Sequence, residues 1–197
     1  MTRRQVTGVV LAAGSSRRLA TPKQLLPYRD MTVLGATLDL ARRVGFNQII
    51  LTLGGVAQAV REAVRLDGID VVPVDDAGTG CSASLCAALG RVDSRAAGIV
   101  LMLGDQPEVD PAAVRRLIAE GPGNPVGVCR YSDGIGHPFW CSRKVFSEIA
   151  RPHGDKGVWK LVQSGKHPVR EVAVDGNVPL DVDTWGDYRR LVESVLR

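Results

Sequence analysis

The run Ile99-Val100-Leu101-Met102-Leu103 is apolar at every position. A strand of this kind has no face to offer water, so it belongs in a sheet covered on both sides, which means a parallel sheet flanked by helices. Further β-rich stretches stand at Val6–Ala12, Gln48–Leu53, Ile69–Pro73, Gly98–Leu103 and Pro125–Cys129. They alternate with amphipathic stretches at Thr32–Val44, Val56–Leu66, Ser82–Leu89 and Pro111–Glu120. The alternation predicts an α/β fold, a three-layer Rossmann-like sandwich with a mostly parallel central sheet. After about residue 125 the pattern shortens to strands at His137–Cys141, Val169–Val174 and Pro179–Val182, with helices at Arg143–Ile149, Gly157–Ser164 and Thr184–Leu196. A chain of 197 residues, 45% of them hydrophobic, suits a single domain spanning 1–197.

In an open α/β sheet ligands bind beyond the carboxyl ends of the strands, so the chemistry is sought there. The first strand ends in Leu11-Ala12-Ala13-Gly14-Ser15-Ser16-Arg17-Arg18, followed by Lys23-Gln24-Leu25-Leu26-Pro27. Small residues let backbone N–H groups approach phosphate oxygens, and Arg18 and Lys23 supply positive charge. The spacing is neither that of a P-loop nor the G-x-G-x-x-G of a dinucleotide fold. Read blandly, it is a strand-to-loop turn with solvated arginines.

Gly54-Gly55 follows the second strand and Gly104-Asp105-Gln106-Pro107 the fourth. Asp105 at a strand tip can hold Mg²⁺, a hard cation that takes one or two carboxylates plus phosphate oxygens. Its alternative is a helix cap, but Asp110, directly before Pro111, fits that task better. Asp181 and Asp183 fall on one face of the expected strand. Asp183 or Thr184 can instead cap the last helix, with Asp187 completing a capping box. Gly78-Thr79-Gly80-Cys81-Ser82-Ala83-Ser84-Leu85 is a Gly-rich turn into a helix, where Ser82 and Ser84 either cap or face a base and ribose. His137 precedes Pro138. Lys156 opens a helix, where its charge opposes the macrodipole and so does not serve helix stability. The three tryptophans, Trp140, Trp159 and Trp185, read as packing residues.

Several function classes are excluded. Net charge is +4 with no long Lys/Arg run, which does not imply a nucleic-acid partner. Aromatic content of 5% argues against a stacking platform for single strands. The four cysteines (Cys81, Cys86, Cys129 and Cys141) form no C-x-x-C pair and read as buried or half-buried thiols of a reducing cytosol. Arg3-Arg4 and the short apolar run after them resemble a signal peptide only superficially, and no transmembrane stretch is present. A cytoplasmic protein with no membrane partner is expected.

The string from Leu11 to Pro27 resembles the signature loop L-A-A-G-x-S-x-R-M-G-x-x-K-x-L-L-P of nucleotidyltransferases that activate sugar phosphates, alditol phosphates and molybdopterin. Leu19 replaces Met and Ala20 replaces Gly. A Cβ at position 20 is harmless at negative φ and costly at positive φ. With Gly80-x-Ser82-x-Ser84-Leu85, Gly104-Asp105-Gln106-Pro107, Gly136-His137-Pro138, Gly154-Asp155-Lys156-Gly157 and Asp181-Val182-Asp183-Thr184, the chain resembles the molybdenum cofactor cytidylyltransferases over Val9–Tyr188.

The resemblance implies Mg²⁺-dependent transfer of CMP from CTP to molybdopterin. Arg18, Lys23 and Asp105 would be catalytic, and Asp105 and Asp183 would hold the metal. Leu11, Ala12, Ala13, Gly14, Ser15, Ser16, Gly54, Gly80, Ser82, Ser84 and Gly104 would bind nucleotide. His137, Asp155, Lys156 and Asp181 would bind the acceptor. It also implies a nucleotide-binding half over 1–124 and an acceptor-binding half over 125–197 that completes the sheet. Guanylyltransferase relatives carry Gly-Gly where Ala12-Ala13 stand, which points to a pyrimidine. A molybdenum hydroxylase or its maturation chaperone would be a partner. Transfer to a sugar or alditol phosphate is the alternative enzyme, and a cofactor-binding chaperone without turnover the alternative class. The glycine spacing disfavours an NAD-dependent dehydrogenase.

Overall fold

The computed structural model describes residues 5–74, 81–150 and 157–195. Along the chain these form β1 (Val6–Ala12), a 3-10 turn (Lys23–Leu25), a small hairpin of β2 (Pro27–Tyr28) and β3 (Met31–Thr32), α1 (Val33–Val44), β4 (Gln48–Leu53), α2 (Ala57–Ala63) and β5 (Asp70–Pro73). There follow α3 (Cys81–Leu89), β6 (Gly98–Leu103), α4 (Pro111–Glu120), β7 (Val126–Tyr131), β8 (Gly134–Ser142), a second 3-10 turn (Arg143–Val145) with α5 (Phe146–Ile149), α6 (Gly157–Gln163), β9 (Val169–Ala173) and α7 (Trp185–Ser194).

The main sheet has the order β5-β4-β1-β6-β8-β7-β9. β1 pairs in parallel with β4 on one side and β6 on the other, and β8 runs antiparallel between β6 and β7. The protein is thus an α/β sandwich whose sheet is parallel except at β8. Strand order reverses around β1, and this reversal leaves a crevice at the carboxyl ends of β1 and β6.

The expected apolar strand is buried along almost its whole length, and alternation sends its side chains to two cores. Val100 and Met102 join Val10, Leu34, Leu38, Val60 and Leu117 under α1, α2 and α4. Ile99 and Leu101 join Val9, Leu85, Phe139, Ile149 and Leu161 under α3, α5 and α6. A third cluster (Leu19, Leu26, Tyr28, Val33, Val182 and Leu191) packs the hairpin and the loop after β1 against α7.

Local signals set the helix ends. Thr32 Oγ1 accepts from Gly35 N–H to start α1, and Asp110 accepts from Ala112 N–H to start α4. Thr184 and Asp187 form the capping box of α7. Four expectations change. Pro179–Val182 is not a strand: it joins no ladder, and the Gln106 side chain donates to Pro179 O. β8 is longer than His137–Cys141, α2 is shorter than Val56–Leu66, and the hairpin at 27–32 was not anticipated. Of the cysteines, Cys129 and Cys141 are buried, which pushes both thiols up to about 12, whereas Cys86 is exposed. No helix among the described residues is long and apolar enough to cross a membrane.

Candidate active site

A cavity of about 500 Å³ opens at the carboxyl ends of β1 and β6. Its walls are the stretch from Leu11 to Arg18, Lys23 and Gln24, Ser84 of α3, the stretch from Leu103 to Asp105, and Asp181 and Asp183. The loop after β1 is shaped by the 3-10 turn. Gln24 Nε2 donates to Ala12 O (2.7 Å) and Gly14 O (3.0 Å), and Lys23 N–H donates to Ser16 Oγ (3.0 Å). Two glycines let the strand tips close in. A Cβ on Gly54 would lie 2.7 Å from Ala13 O, and one on Gly104 would lie 2.8 Å from Ala12 Cβ. The loop turns back through Ser16 and Ala20, both left-handed at φ 49° and 53°. Position 20 therefore has the costly sign of φ for a residue with a Cβ.

Lys23 organises the charges. Its ammonium donates to Asp105 Oδ2 at 2.6 Å and to Asp183 Oδ1 at 3.1 Å, and Arg18 donates to Asp183 Oδ2 at 2.6 Å. The Lys23 and Asp105 side chains are 18% and 10% exposed, whereas Arg18 is 67% exposed. Burial alone would lower the Lys23 pKa, but Asp105 and then Asp183 raise it above its ordinary value. Burial alone would raise Asp183, but Lys23 and Arg18 hold it below the usual carboxylate range. Asp181 has no such ion pair among the described residues. Burial and the nearby Asp105 push it up to about 6, against Lys23 and the hydrogen bond it accepts from Gln106 Nε2 (2.8 Å).

The donor set suits a divalent cation. Asp105 Oδ2 and Asp183 Oδ1 both reach one ammonium, so two carboxylate oxygens already converge on one positive centre. No group of three His, Cys, Asp or Glu side chains with metal spacing occurs among the described residues. Two carboxylates suffice for Mg²⁺ when phosphates supply further oxygens.

The structure thus brings together Arg18, Lys23, Asp105, Asp181 and Asp183 with Leu11–Ser16, Ser84 and Gly104. Other expected residues stand elsewhere. Gly54 packs beneath the Ala13 carbonyl and not on the cavity wall. Ser82 is buried in the first turn of α3 and does not line the cavity. Ala12 lines it with its methyl close to Gly104, and Ala13 lines it beside Ala12. His137 also lies off the wall. Its ring packs on Phe139 with centroids 4.3 Å apart, and burial lowers its pKa to about 4. Gly80, Asp155 and Lys156 lie outside the described residues. Sequence reasoning missed Gln24 and Gln106, two buried glutamines whose only signal is that each directly follows a charged site residue.

Known proteins resemble this chain over most of its length. The model of the MobA-like NTP transferase domain matches residues 8–170. The crystal structure of Rv0371c from Mycobacterium tuberculosis H37Rv is 72% identical, with TM-score 0.93, covering 98% of this chain and all of that one. A second crystal structure of Rv0371c, in complex with manganese, is 70% identical with TM-score 0.89, covering 96% of this chain and 99% of that one. The nicotine blue oxidoreductase of Paenarthrobacter nicotinovorans is 32% identical over 95% of this chain and 96% of its own length.

Proposed function

Because this chain belongs to the MobA-like NTP transferase domain family, and so is a nucleotidyltransferase, we propose that it transfers CMP from CTP to molybdopterin. The observation that carries this reading is the Lys23 ammonium held between Asp105 and Asp183 beside the small-residue loop Leu11–Arg18.

In this reaction a phosphate oxygen of the acceptor attacks the α-phosphorus of the nucleotide. The bond from that phosphorus to the β-phosphate oxygen breaks, and pyrophosphate carries the electron pair away. The nucleophile is already an anion, so no general base is required. The work of the site is positioning and charge neutralisation. Arg18 and Lys23 hold the β- and γ-phosphates and stabilise the departing pyrophosphate. Arg18 is exposed and its pairing with Asp183 is weak, so it is free to turn to phosphate. Asp105 and Asp183 would hold the divalent cation, Mg²⁺ in this proposal, and the manganese complex of the 70% identical relative supports a divalent ion. When bound, that ion neutralises the phosphate charge around the reacting phosphorus. Asp181, on the same wall, faces the acceptor.

Ala12 and Ala13 on the cavity wall, where guanylyltransferase relatives carry Gly-Gly, support a pyrimidine. The product would pass to a molybdenum hydroxylase or its maturation chaperone. The experiment is a panel of nucleoside triphosphates with molybdopterin and Mg²⁺, scored by pyrophosphate release. Turnover with CTP and molybdopterin is the expected result. Turnover only with a sugar or alditol phosphate reassigns the acceptor. Binding without turnover makes the protein a carrier, and oxidation of NAD(P)H without pyrophosphate release overturns the proposal altogether.

A further inference from the structure

Gln24 is 2% exposed, and its amide nitrogen makes two hydrogen bonds, both to backbone carbonyls of the loop after β1. Its orientation is fixed by chemistry. Ala12 O and Gly14 O only accept, so only the NH₂ end can face them. The consequence is that Gln24 Oε1 is buried with no hydrogen-bond partner among the described residues. A methionine would fill the same space without the orphaned amide oxygen but would take the donor from Ala12 O and Gly14 O, so the two donated bonds, and not packing, account for glutamine at this position.

The two accepted bonds have a geometric result. In a planar trans peptide the carbonyl and the N–H of the next residue point in opposite directions. Drawing Ala12 O and Gly14 O toward Gln24 therefore turns the N–H groups of Ala13 and Ser15 away from it. Both residues border the cavity. The same 3-10 turn carries Lys23, whose N–H holds Ser16 Oγ while its ammonium faces the carboxylates. One turn thereby fixes the backbone and the charge of the anion site together. We infer that Gln24 is a positioning residue, which presents the Ala13 and Ser15 N–H groups to the polyphosphate of the nucleotide. This inference rests on the nucleotide-binding reading given above.

The test measures inorganic pyrophosphate binding by calorimetry in the wild type, Q24M and Q24E, alongside thermal unfolding. Q24M keeps the volume and removes the donors. It is expected to bind pyrophosphate at least tenfold more weakly, and to melt somewhat below the wild type because Ala12 O and Gly14 O lose this donor. Q24E supplies a readout that a merely structural role does not move. Protonated, its carboxyl donates one hydrogen bond to the loop; ionised, it sets acceptor against acceptor and pushes the carbonyls away. Its affinity relative to the wild type is therefore expected to fall as pH rises through that carboxyl's titration, and to recover at acid pH. If Q24M does not fold, the Q24E series decides. Wild-type affinity in Q24M, or a Q24E deficit that does not change with pH, overturns the role of Gln24 alone. A wild type that binds neither pyrophosphate nor CTP overturns the nucleotide reading itself.

Discussion

Lys23 Nζ stands 2.6 Å from Asp105 Oδ2, although 82 residues separate them in sequence. The pair joins the loop after β1 to the tip of β6, and Asp183 extends it to the segment before α7. The ammonium therefore has two tasks. It neutralises two carboxylates, and in the proposed reaction it would face phosphate oxygens.

Replacing it separates those tasks. K23M is expected to slow pyrophosphate release from CTP by about 100-fold or more, the scale of losing one charge-stabilising group. It also leaves the buried Asp105 without its counter-ion, so the variant is expected to melt below the wild type. The Lys23 pKa is raised in the folded protein, so its stabilising contribution is complete below the ordinary lysine value of 10.5 and is lost as pH rises through the higher folded value. The melting gap between wild type and K23M should be constant near neutrality and close in strong alkali. An unchanged gap at high pH would show that the loss is one of packing.

Asp105 is the inner carboxylate of the pair, and D105N keeps its shape while removing its charge. Electron paramagnetic resonance of Mn²⁺ with CTP is expected to report binding at least tenfold weaker than in the wild type. Turnover that persists without added metal would contradict the assignment.

Ala20 sits at φ 53°, in the left-handed region that L side chains enter at a cost. A20G removes that cost, against some gain in unfolded-chain entropy, so a net stabilisation of up to about 1 kcal/mol is expected. At that upper value the melting temperature rises by about 2–4 °C for a domain of this size. A lower melting temperature for A20G would mean that the turn is not strained at this residue.

His137 gives an acid-side prediction. Burial lowers its folded pKa from 6.5 to about 4. Between these values the unfolded chain binds the proton and the folded chain does not, so stability falls as pH drops from 6.5 toward 4. H137Q is expected to flatten that part of the pH–stability curve, measured by urea unfolding. A variant curve parallel to the wild type's would show that other groups cause the acid loss.

The local rules were legible in the chain. Five apolar runs announced parallel strands, and Thr32, Asp110 and Thr184 announced helix starts that the structure holds with capping bonds. The Leu11–Arg18 string and the Gly104-Asp105 tip fell at strand ends, where an α/β sheet gathers its ligands, because strand polarity follows from sequence pattern. Pro179–Val182 misled for a physical reason: its composition suits a strand, but what decides a strand is a free neighbouring edge, and here Gln106 supplies the bonding instead. Nor does a motif say what a ring packs on, as His137 does on Phe139.

What the sequence by itself determined was the set of elements and the residue types at their ends, because helix and strand periodicity and capping act over a few residues. What only the tertiary structure decided was which of those ends meet. Sheet order places β1 beside β6, and the segment before α7 folds back over both. The ion pairs Lys23–Asp105 and Lys23–Asp183 and the Gln24 clamp arise from that juxtaposition. A charge or amide has no preferred distant partner until packing has excluded water and fixed the neighbours it must satisfy.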